Sequence, residues 1–141
     1  MLRALMSILV IAAGCSPGGN RDTTVPSEDG PTASASVTEV SVAEAEALLE
    51  AEGELVVLDV RTPGEFAEGH IVGALNLDFR SADFEAGLDL LDKGVPYLLH
   101  CASGRRSVSA LESMRQKGFQ SVYHLTHGFR AWVRAGKPAE R

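Results

Sequence analysis

Apolar residues along the chain form short continuous runs, separated by stretches with helical spacing. Two runs, residues 55–60 and 95–99, are apolar at nearly every position, which is typical of strands buried on both faces of a parallel sheet. Shorter runs at residues 38–40, 74–77 and 122–125 predict further strands. The pattern therefore predicts a sheet of five strands.

Helices are predicted between these strands. Ser41 and Glu44 form a capping box that begins a helix over residues 42 to about 52, and Pro63 suits the first turn of a second, short helix. Three more are indicated by apolar residues at helical spacing: Phe84, Leu88 and Leu91; Val108, Leu111 and Met114; and Phe129, Trp132 and Val133. Alternating strands and helices predict an α/β fold, a parallel sheet with helices on both faces.

The first 36 residues differ in character from the rest. Residues 4–13 are apolar except for Ser7 but too few to span a bilayer, so residues 1–14 are predicted to be a signal peptide. Residues 15–36 are rich in Ser, Gly, Pro, Thr and Asp, which predicts a flexible tether. The folded domain is predicted to occupy residues 37–141.

The end of the apolar run resembles the lipobox of bacterial lipoproteins. Small residues lead directly to Cys15, although Ala12 stands where that family usually carries leucine. The resemblance implies cleavage before Cys15 and a lipid on Cys15, which would anchor an exported domain to a bacterial membrane, on its periplasmic or outer face. Ser16 directly follows this cysteine and resembles the residue found there in lipoproteins that double-membrane bacteria sort to the outer membrane. An ordinary secretory signal is the alternative.

Composition narrows the functional classes. The 141 residues are 45% hydrophobic and 23% charged, as in a globular domain, and the formal net charge of −6 argues against a nucleic-acid partner. The two cysteines, Cys15 and Cys101, form no CxxC pair, and no metal-ligand spacing occurs. The sequence therefore predicts neither a metal site nor a cofactor.

One cysteine stands where a predicted strand turns into a predicted helix. Cys101 follows the 95–99 run, and Gly104, Arg105 and Arg106 follow it closely. Ligands bind at that edge of α/β sheets, and free N–H groups at a helix N-terminus attract anions. The positive electrostatic field of these N–H groups also favours a thiolate, so we expect Cys101 to have a lowered pKa and to be nucleophilic. The alternative is a small buried hydrophobe.

Three segments of the chain resemble the rhodanese family. They are LDVRTPGEF with GHIVGALN at residues 58–66 and 69–76, HCASGRRS at residues 100–107, and VYHLTHGFRAW at residues 122–132. The segments follow the order found in the family and span nearly all of the predicted domain. The resemblance implies a rhodanese-like three-layer fold, with a five-stranded parallel sheet between layers of helices.

The resemblance also implies sulfane-sulfur transfer. A small anionic donor such as thiosulfate would give its outer sulfur to the catalytic Cys101, and the persulfide would pass it to a thiol or cyanide. The implied substrate-binding residues are Arg61 and the loop residues Ala102, Ser103, Gly104, Arg105, Arg106 and Ser107. Because Ala102 is uncharged, whereas some thiosulfate users carry a basic residue there, the identity of the donor stays open.

Two residues are predicted to shape the site without reacting. Asp59 is expected to accept hydrogen bonds from the following turn and to pair with an arginine. His127 stands where the family commonly has the first of two glycines, so a positive φ at this position would cost some strain. Its imidazole is interpreted as solvated, with a place beside the active site as the alternative.

Three other functions are alternatives to sulfur transfer. Cysteine-arginine phosphatases and arsenate reductases resemble the loop, but they place five residues between Cys and Arg, whereas four separate Cys101 from Arg106. A catalytically weak rhodanese-like binding or regulatory module is the second alternative, and the retained cysteine argues against it. A purely structural lipoprotein is the third, and it has no need of a reactive loop.

Replacing Cys15 tests the predicted anchor. Cys15→Ala should release the protein from the membrane fraction or leave an uncleaved precursor, because the lipid loses its attachment point. Fractionation and the intact mass of the mature protein measure this, with Ser16→Ala as the control that keeps the cysteine. A wild-type mature protein that begins elsewhere and carries no lipid would show that the interpretation is wrong.

Overall fold

A five-stranded parallel sheet forms the centre of the computed structural model, which describes residues 35–51 and 53–141. Its strands are β1 (Ser36–Val40), β2 (Val56–Asp59), β4 (Leu75–Asn76), β5 (Tyr97–His100) and β6 (Ser121–Leu125), with β3 (His70–Ile71) lying outside it. The spatial order is β1-β6-β5-β2-β4, and all four pairings are parallel. The predicted five-stranded parallel sheet is confirmed.

In the described residues, five helices lie between or after the strands: α1 (Val42–Glu50), α2 (Pro63–Glu68), α3 (Phe84–Asp89), α4 (Arg105–Gln116) and α5 (Gly128–Arg134). The predicted capping box begins α1, where the Glu44 N–H donates to Ser41 Oγ at 3.3 Å and the Ser41 N–H donates to Glu44 Oε2 at 2.8 Å. Thr62 and Glu65 form a second capping box at α2, with Pro63 in the first turn as predicted.

The two faces of the sheet carry separate apolar clusters, because successive strand residues point to opposite sides. Tyr97 and Leu99 pack with Phe84, Leu88, Ala110 and Met114, which come from α3 and α4. Leu98 points the other way and packs with Ala45 and Trp132, which come from α1 and α5. Helices therefore cover both faces of the sheet, as predicted.

The sheet order places the ends of two central strands side by side. From β2 the chain moves outward to β4 and then returns to β5 on the opposite side of β2. Asp59, the last residue of β2, is in register with His100, the last residue of β5. Such a reversal opens a crevice at the carboxyl ends of the strands, and Cys101 follows β5 directly at that edge.

Three differences from the predicted elements concern β1, β3 and α4. Strand β1 begins at Ser36, a residue assigned to the tether, and Ser36 N–H donates to Gln120 O at 2.8 Å. Residues 69–73, where the apolar pattern predicts no strand, contain β3, which pairs antiparallel with β7 (Ala139–Glu140). A two-residue strand is too short for a periodic signal, and its partner lies far away in the sequence.

The third difference concerns the buried face of α4. Val108 was predicted to face the core but is 57% exposed, and the helix buries Ser107, Ala110, Leu111 and Met114 instead. These four residues have the i, i+3, i+4, i+7 spacing of one helix face. The prediction was wrong because the first residue of that face is a serine, which a count of apolar residues passes over.

Several predictions fall on residues outside the described ranges. They are the signal peptide, the lipid on Cys15 and nearly all of the tether, and these stay predictions. Within residues 35–51 and 53–141, no helix has the length and apolar character needed to cross a membrane.

Candidate active site

The loop after β5 holds the Cys101 sulfur against the N-terminus of α4. Gly104 adopts a φ of +94° at the N-cap, and its N–H donates to Cys101 Sγ over 3.2 Å. The Ser107 hydroxyl, in the first turn of α4, lies 3.6 Å from the same sulfur. Because Cys101 is only 1% exposed, these donors replace the water that would otherwise solvate a thiolate.

The hydrogen bonds around the sulfur make Cys101 more acidic than an ordinary thiol. Burial has the largest single influence and raises the pKa of Cys101. The Ser107 hydroxyl and the backbone N–H groups of Ser107, Ser103 and Gly104 act in the opposite direction and together outweigh burial, so the pKa is lowered. The predicted direction of the shift is therefore confirmed, and its cause is hydrogen bonding to the sulfur.

A second helix N-terminus fixes the other side of the loop. The N–H groups of Phe129 and Arg130, in the first turn of α5, donate to the carbonyls of Cys101 at 2.8 Å and Ala102 at 3.1 Å. This contact requires Gly128, because a Cβ there would lie 2.4 Å from the Cys101 carbonyl oxygen. The loop is thus clamped through its carbonyls while its N–H groups face the sulfur.

The positive φ in the turn before α5 belongs to Gly128, at +61°, and His127 has an ordinary φ of −97°. The strain considered for His127 is therefore absent. Its side chain is exposed, and Nδ1 lies 2.9 Å from the Thr126 hydroxyl. The interpretation of His127 as a solvated histidine agrees with this position.

Asp59 and Arg61, at the end of β2, form a buried ion pair beside the loop that carries Cys101. Arg61 donates to Asp59 Oδ2 from Nε at 2.8 Å and from Nη2 at 2.6 Å, and its backbone N–H donates to Oδ1 at 3.0 Å. Asp59 is fully buried and Arg61 is 4% exposed. The predicted pairing is confirmed. Because a buried pair is costly to break, it fixes the end of β2 beside the reactive loop.

His100 completes this buried polar cluster. Its Nδ1 lies 3.3 Å from the Cys101 carbonyl oxygen, and its Nε2 lies 3.8 Å from Asp59 Oδ2. Complete burial lowers the pKa of His100 despite the opposing effect of the nearby Asp59 carboxylate. At neutral pH the imidazole of His100 that faces Asp59 is therefore uncharged.

A cleft of about 940 Å³ opens beside the loop, and Arg61 and Ala102 contribute to its wall. Phe129 lines the cleft as well, with the Arg61 guanidinium carbon 4.1 Å from the centre of its ring. Arg130 and Arg134 of α5 add positive charge to this wall. Arg61 thus reaches the cleft while its charge is compensated by Asp59.

The two loop arginines lie in different environments. Arg105 is exposed, whereas Arg106 pairs with Glu65 of α2 through two hydrogen bonds of 2.7 Å. The pKa of Arg106 is raised chiefly by this bond, and the negative charges of Cys101 and Asp59 contribute in the same direction. Arg106 therefore interacts electrostatically with the sulfur from a position that Glu65 fixes.

The remaining loop residues differ in solvent exposure: Ser103 is exposed, Ala102 is 9% exposed, and Ser107 is fully buried.

Two further residues were missed by the sequence analysis. Glu65 had a detectable signal, since Thr62 and Glu65 have the capping-box spacing. His124 of β6, with Nε2 2.8 Å from Ser107 Oγ, had none, because a single polar residue in a strand does not reveal its neighbour.

The sequence of the chain is similar to a known protein family and to individual proteins. A family model described as a rhodanese-like domain matches residues 41–135. The thiosulfate sulfurtransferase GlpE of Pseudomonas putida is 45% identical over 86 residues, which cover 60% of this chain and 74% of the relative. The putative sulfurtransferase YtwF of Bacillus subtilis is 34% identical over 102 residues, which cover 72% of this chain and 96% of the relative.

Solved structures agree with these relatives. A rhodanese-related protein from Thermoplasma volcanium superposes with a TM-score of 0.65 at 26% identity, covering 73% of this chain and 97% of that one. A rhodanese-like domain from Anabaena gives a TM-score of 0.66 at 27% identity, covering 72% of this chain and 77% of that one. The chain therefore belongs to the rhodanese family of sulfurtransferases.

The close approach at Gly128 leads to a first prediction for the site. Gly128→Ala should displace the loop and reduce sulfur transfer by at least tenfold, because the new Cβ would overlap the Cys101 carbonyl. Gly136→Ala is the matched control, since Gly136 has a φ of +70° with no atom near a Cβ. It should cost about 1 kcal/mol of stability and leave activity unchanged. Equal activity in both variants would contradict the clamp.

The pairing of Glu65 with Arg106 predicts an effect of pH on stability. The hydrogen bond from Arg106 is the main cause that lowers the pKa of Glu65 from 4.5 to about 2. The folded state therefore gains stability that is fully present above about pH 4.5 and is lost as the pH falls to about 2. Because solvent screens this partly exposed pair, the contribution is about 1 kcal/mol at most.

Urea unfolding from pH 6 to pH 2 measures this effect. Glu65→Gln should flatten the acid part of the stability profile relative to the wild type. Glu85→Gln, at an exposed pair with Lys117, is the control and should keep the wild-type slope. A Glu65→Gln profile parallel to that of the wild type would exclude the pairing in solution.

Proposed function

We propose that the protein transfers sulfane sulfur from a small anionic donor such as thiosulfate to a thiol or cyanide acceptor, through a persulfide on Cys101. The observation that carries the proposal is the environment of Cys101 Sγ, which lies at a helix N-terminus within reach of the Gly104 N–H and the Ser107 hydroxyl. Membership in a family of sulfurtransferases supports the reaction type.

In the first step, the Cys101 thiolate attacks the outer sulfur of thiosulfate. A bond forms between the two sulfur atoms, the original sulfur–sulfur bond of thiosulfate breaks, and its electron pair leaves with sulfite. The lowered pKa of Cys101 increases the fraction of the reactive thiolate. Arg61, Arg105 and Arg106 are proposed to bind the anion through their N–H groups, and the cleft wall beside Ala102 to receive it.

In the second step, the acceptor attacks the outer sulfur of the persulfide. The new bond takes that sulfur away, and the electron pair of the broken bond returns to Cys101 as a thiolate. The loop N–H groups of Ser103, Gly104 and Ser107 are proposed to stabilise the negative charge throughout, much as an oxyanion hole does. Storage of the sulfur on the enzyme predicts ping-pong kinetics, with sulfite released before the acceptor reacts.

Burial of the nucleophile favours sulfur over phosphate as the transferred group. Cys101 is 1% exposed, and a terminal sulfur atom reaches such a nucleophile more easily than a tetrahedral centre that carries its oxygens with it. Four residues between Cys101 and Arg106 also leave fewer N–H groups to surround a phosphate. A phosphatase or arsenate reductase is therefore the weaker hypothesis.

We also propose that the domain works outside the cytoplasm, attached to a bacterial membrane through a lipid on Cys15. The support is the sequence alone: the apolar run that ends at Cys15, and the polar tether that follows it. In that setting Cys101 has no second thiol in its own chain with which to form a disulfide, since Cys15 would carry the lipid.

The covalent intermediate is the fourth prediction. After treatment with thiosulfate, the protein should gain the mass of one sulfur atom on the peptide that contains Cys101, and cyanide or a thiol should remove it. Cys101→Ser should show neither the gain nor turnover, whereas the control Cys15→Ala should show both. Peptide mass spectrometry with a sulfite assay provides the measurement.

Three results would reject the proposal. Sulfur transfer by Cys101→Ser would show that another group carries the sulfur. A wild-type protein that never gains the mass with any sulfane donor would instead favour a binding module without catalysis. Faster hydrolysis of aryl phosphates than sulfur transfer would favour the phosphatase reading.

A further inference from the structure

His124 is a buried histidine on β6, behind the reactive loop, and the proposed reaction gives it no task. It is 2% exposed, and its Nε2 lies 2.8 Å from Ser107 Oγ. Its Nδ1 has no hydrogen-bond partner in the described part of the chain. A buried imidazole with one paired and one unpaired nitrogen has a preferred tautomer, which determines what Ser107 can do.

The Ser107 hydroxyl has three neighbours and one proton. Its oxygen lies 2.9 Å from the Gly104 carbonyl, 3.6 Å from Cys101 Sγ and 2.8 Å from His124 Nε2. The carbonyl and a thiolate only accept hydrogen bonds, whereas a neutral imidazole nitrogen either donates or accepts. If Nε2 accepts, it takes the proton that would otherwise serve the sulfur.

Burial decides between these arrangements. It is the main cause that lowers the pKa of His124, so the ring is neutral and carries one N–H. A proton on Nδ1 would leave a buried donor without an acceptor, which is rarer in proteins than an unpaired lone pair. The proton therefore belongs on Nε2, which then donates to Ser107 Oγ and leaves the hydroxyl proton free to point elsewhere.

We propose that His124 is a positioning residue for Cys101: its Nε2–H donates to Ser107 Oγ, and the Ser107 hydroxyl in turn donates to the Cys101 sulfur. A hydroxyl that accepts one hydrogen bond donates a stronger one, and a negatively charged sulfur attracts it more than the neutral Gly104 carbonyl does. The effect on the thiolate stands alone, while its extension to the persulfide rests on the proposed function.

Charged and titratable groups on the neighbouring elements also face this chain of hydrogen bonds. Glu39 of β1 is in register with His124 and opposes the lowering of its pKa. Arg106 of α4 interacts with the charge on Cys101 and is held by Glu65 of α2. His100 of β5 is neutral because it is buried. A hydrogen bond with the Gly104 backbone also opposes the lowering of the His124 pKa. The effect of the bond to Ser107 is therefore isolated by comparing His124 variants with and without the Ser107 hydroxyl.

The first test reads the tautomer in the unmodified protein. Two-bond nitrogen–proton correlation spectra of the full chain, labelled with nitrogen-15, distinguish a proton on Nε2 from one on Nδ1. We expect the His124 ring to carry its proton on Nε2 at neutral pH. A proton on Nδ1, or a doubly protonated ring, would overturn the proposal, and no variant has to fold for this result.

The second test measures the pH dependence of Cys101 alkylation by iodoacetamide, followed on the Cys101 peptide. His124→Leu should raise the midpoint by about 0.5 to 1 pH unit, which slows alkylation near neutral pH by about 3- to 10-fold. His124→Gln, whose amide supplies an N–H near the position of Nε2, should stay closer to the wild type. Both variants are compared at equal folded fraction, judged by circular dichroism.

The same measurement in a Ser107→Ala background completes a double-mutant cycle. There, His124→Leu should add no further shift, because the hydroxyl that it orients is gone. An equal shift in both backgrounds, or a wild-type midpoint in His124→Leu, would overturn the proposal. Neither test uses a sulfur donor, so failure here is distinguishable from failure of the proposed sulfur transfer.

Discussion

The hydrogen bonds from the first turn of α5 to the carbonyls of Cys101 and Ala102 are the interaction on which the site depends. They turn the loop carbonyls away from the sulfur, so that the N–H groups at the start of α4 point towards it. The dipoles of two helices thus act on one short loop, α5 on its oxygens and α4 on its sulfur. Gly104 and Gly128 make this possible, because a Cβ at Gly104 would lie 2.0 Å from the Thr126 carbonyl and one at Gly128 would meet Cys101.

Beneath the loop, buried polar groups set the ends of the central strands. Asp59 accepts from Arg61, Arg61 Nη2 also donates to the Gly69 carbonyl at 2.7 Å, and Asn76 donates to the Asp59 and Arg61 carbonyls at 3.0 and 2.8 Å. Such a cluster is a poor source of net stability, since desolvation offsets much of the attraction. Its effect is positional: it fixes the cleft wall at Arg61 beside the loop that carries the nucleophile.

Periodicity in the sequence was enough to predict the sheet, its five strands and the position of Cys101 between a strand and a helix, because buried strands and amphipathic helices differ in their spacing of apolar residues. Periodicity could not predict the contacts that join segments distant in the sequence. The pairing of Arg106 with Glu65, the short strand β3 and the place of His124 behind Ser107 all depend on tertiary packing. The buried face of α4 was misassigned at Val108 for a related reason, since Ser107 is buried for its hydrogen bonds.

The central claim is that the loop holds a transferred sulfur by means of its N–H groups. A high-resolution crystal structure of the protein after treatment with thiosulfate tests this most directly. We predict one additional sulfur atom bonded to Cys101 Sγ, enclosed by the loop and within hydrogen-bonding distance of its backbone N–H groups, with the contacts from Phe129 and Arg130 intact. A persulfide that points away from those N–H groups, or an unmodified Cys101 beside a sulfur bound elsewhere, would contradict the account.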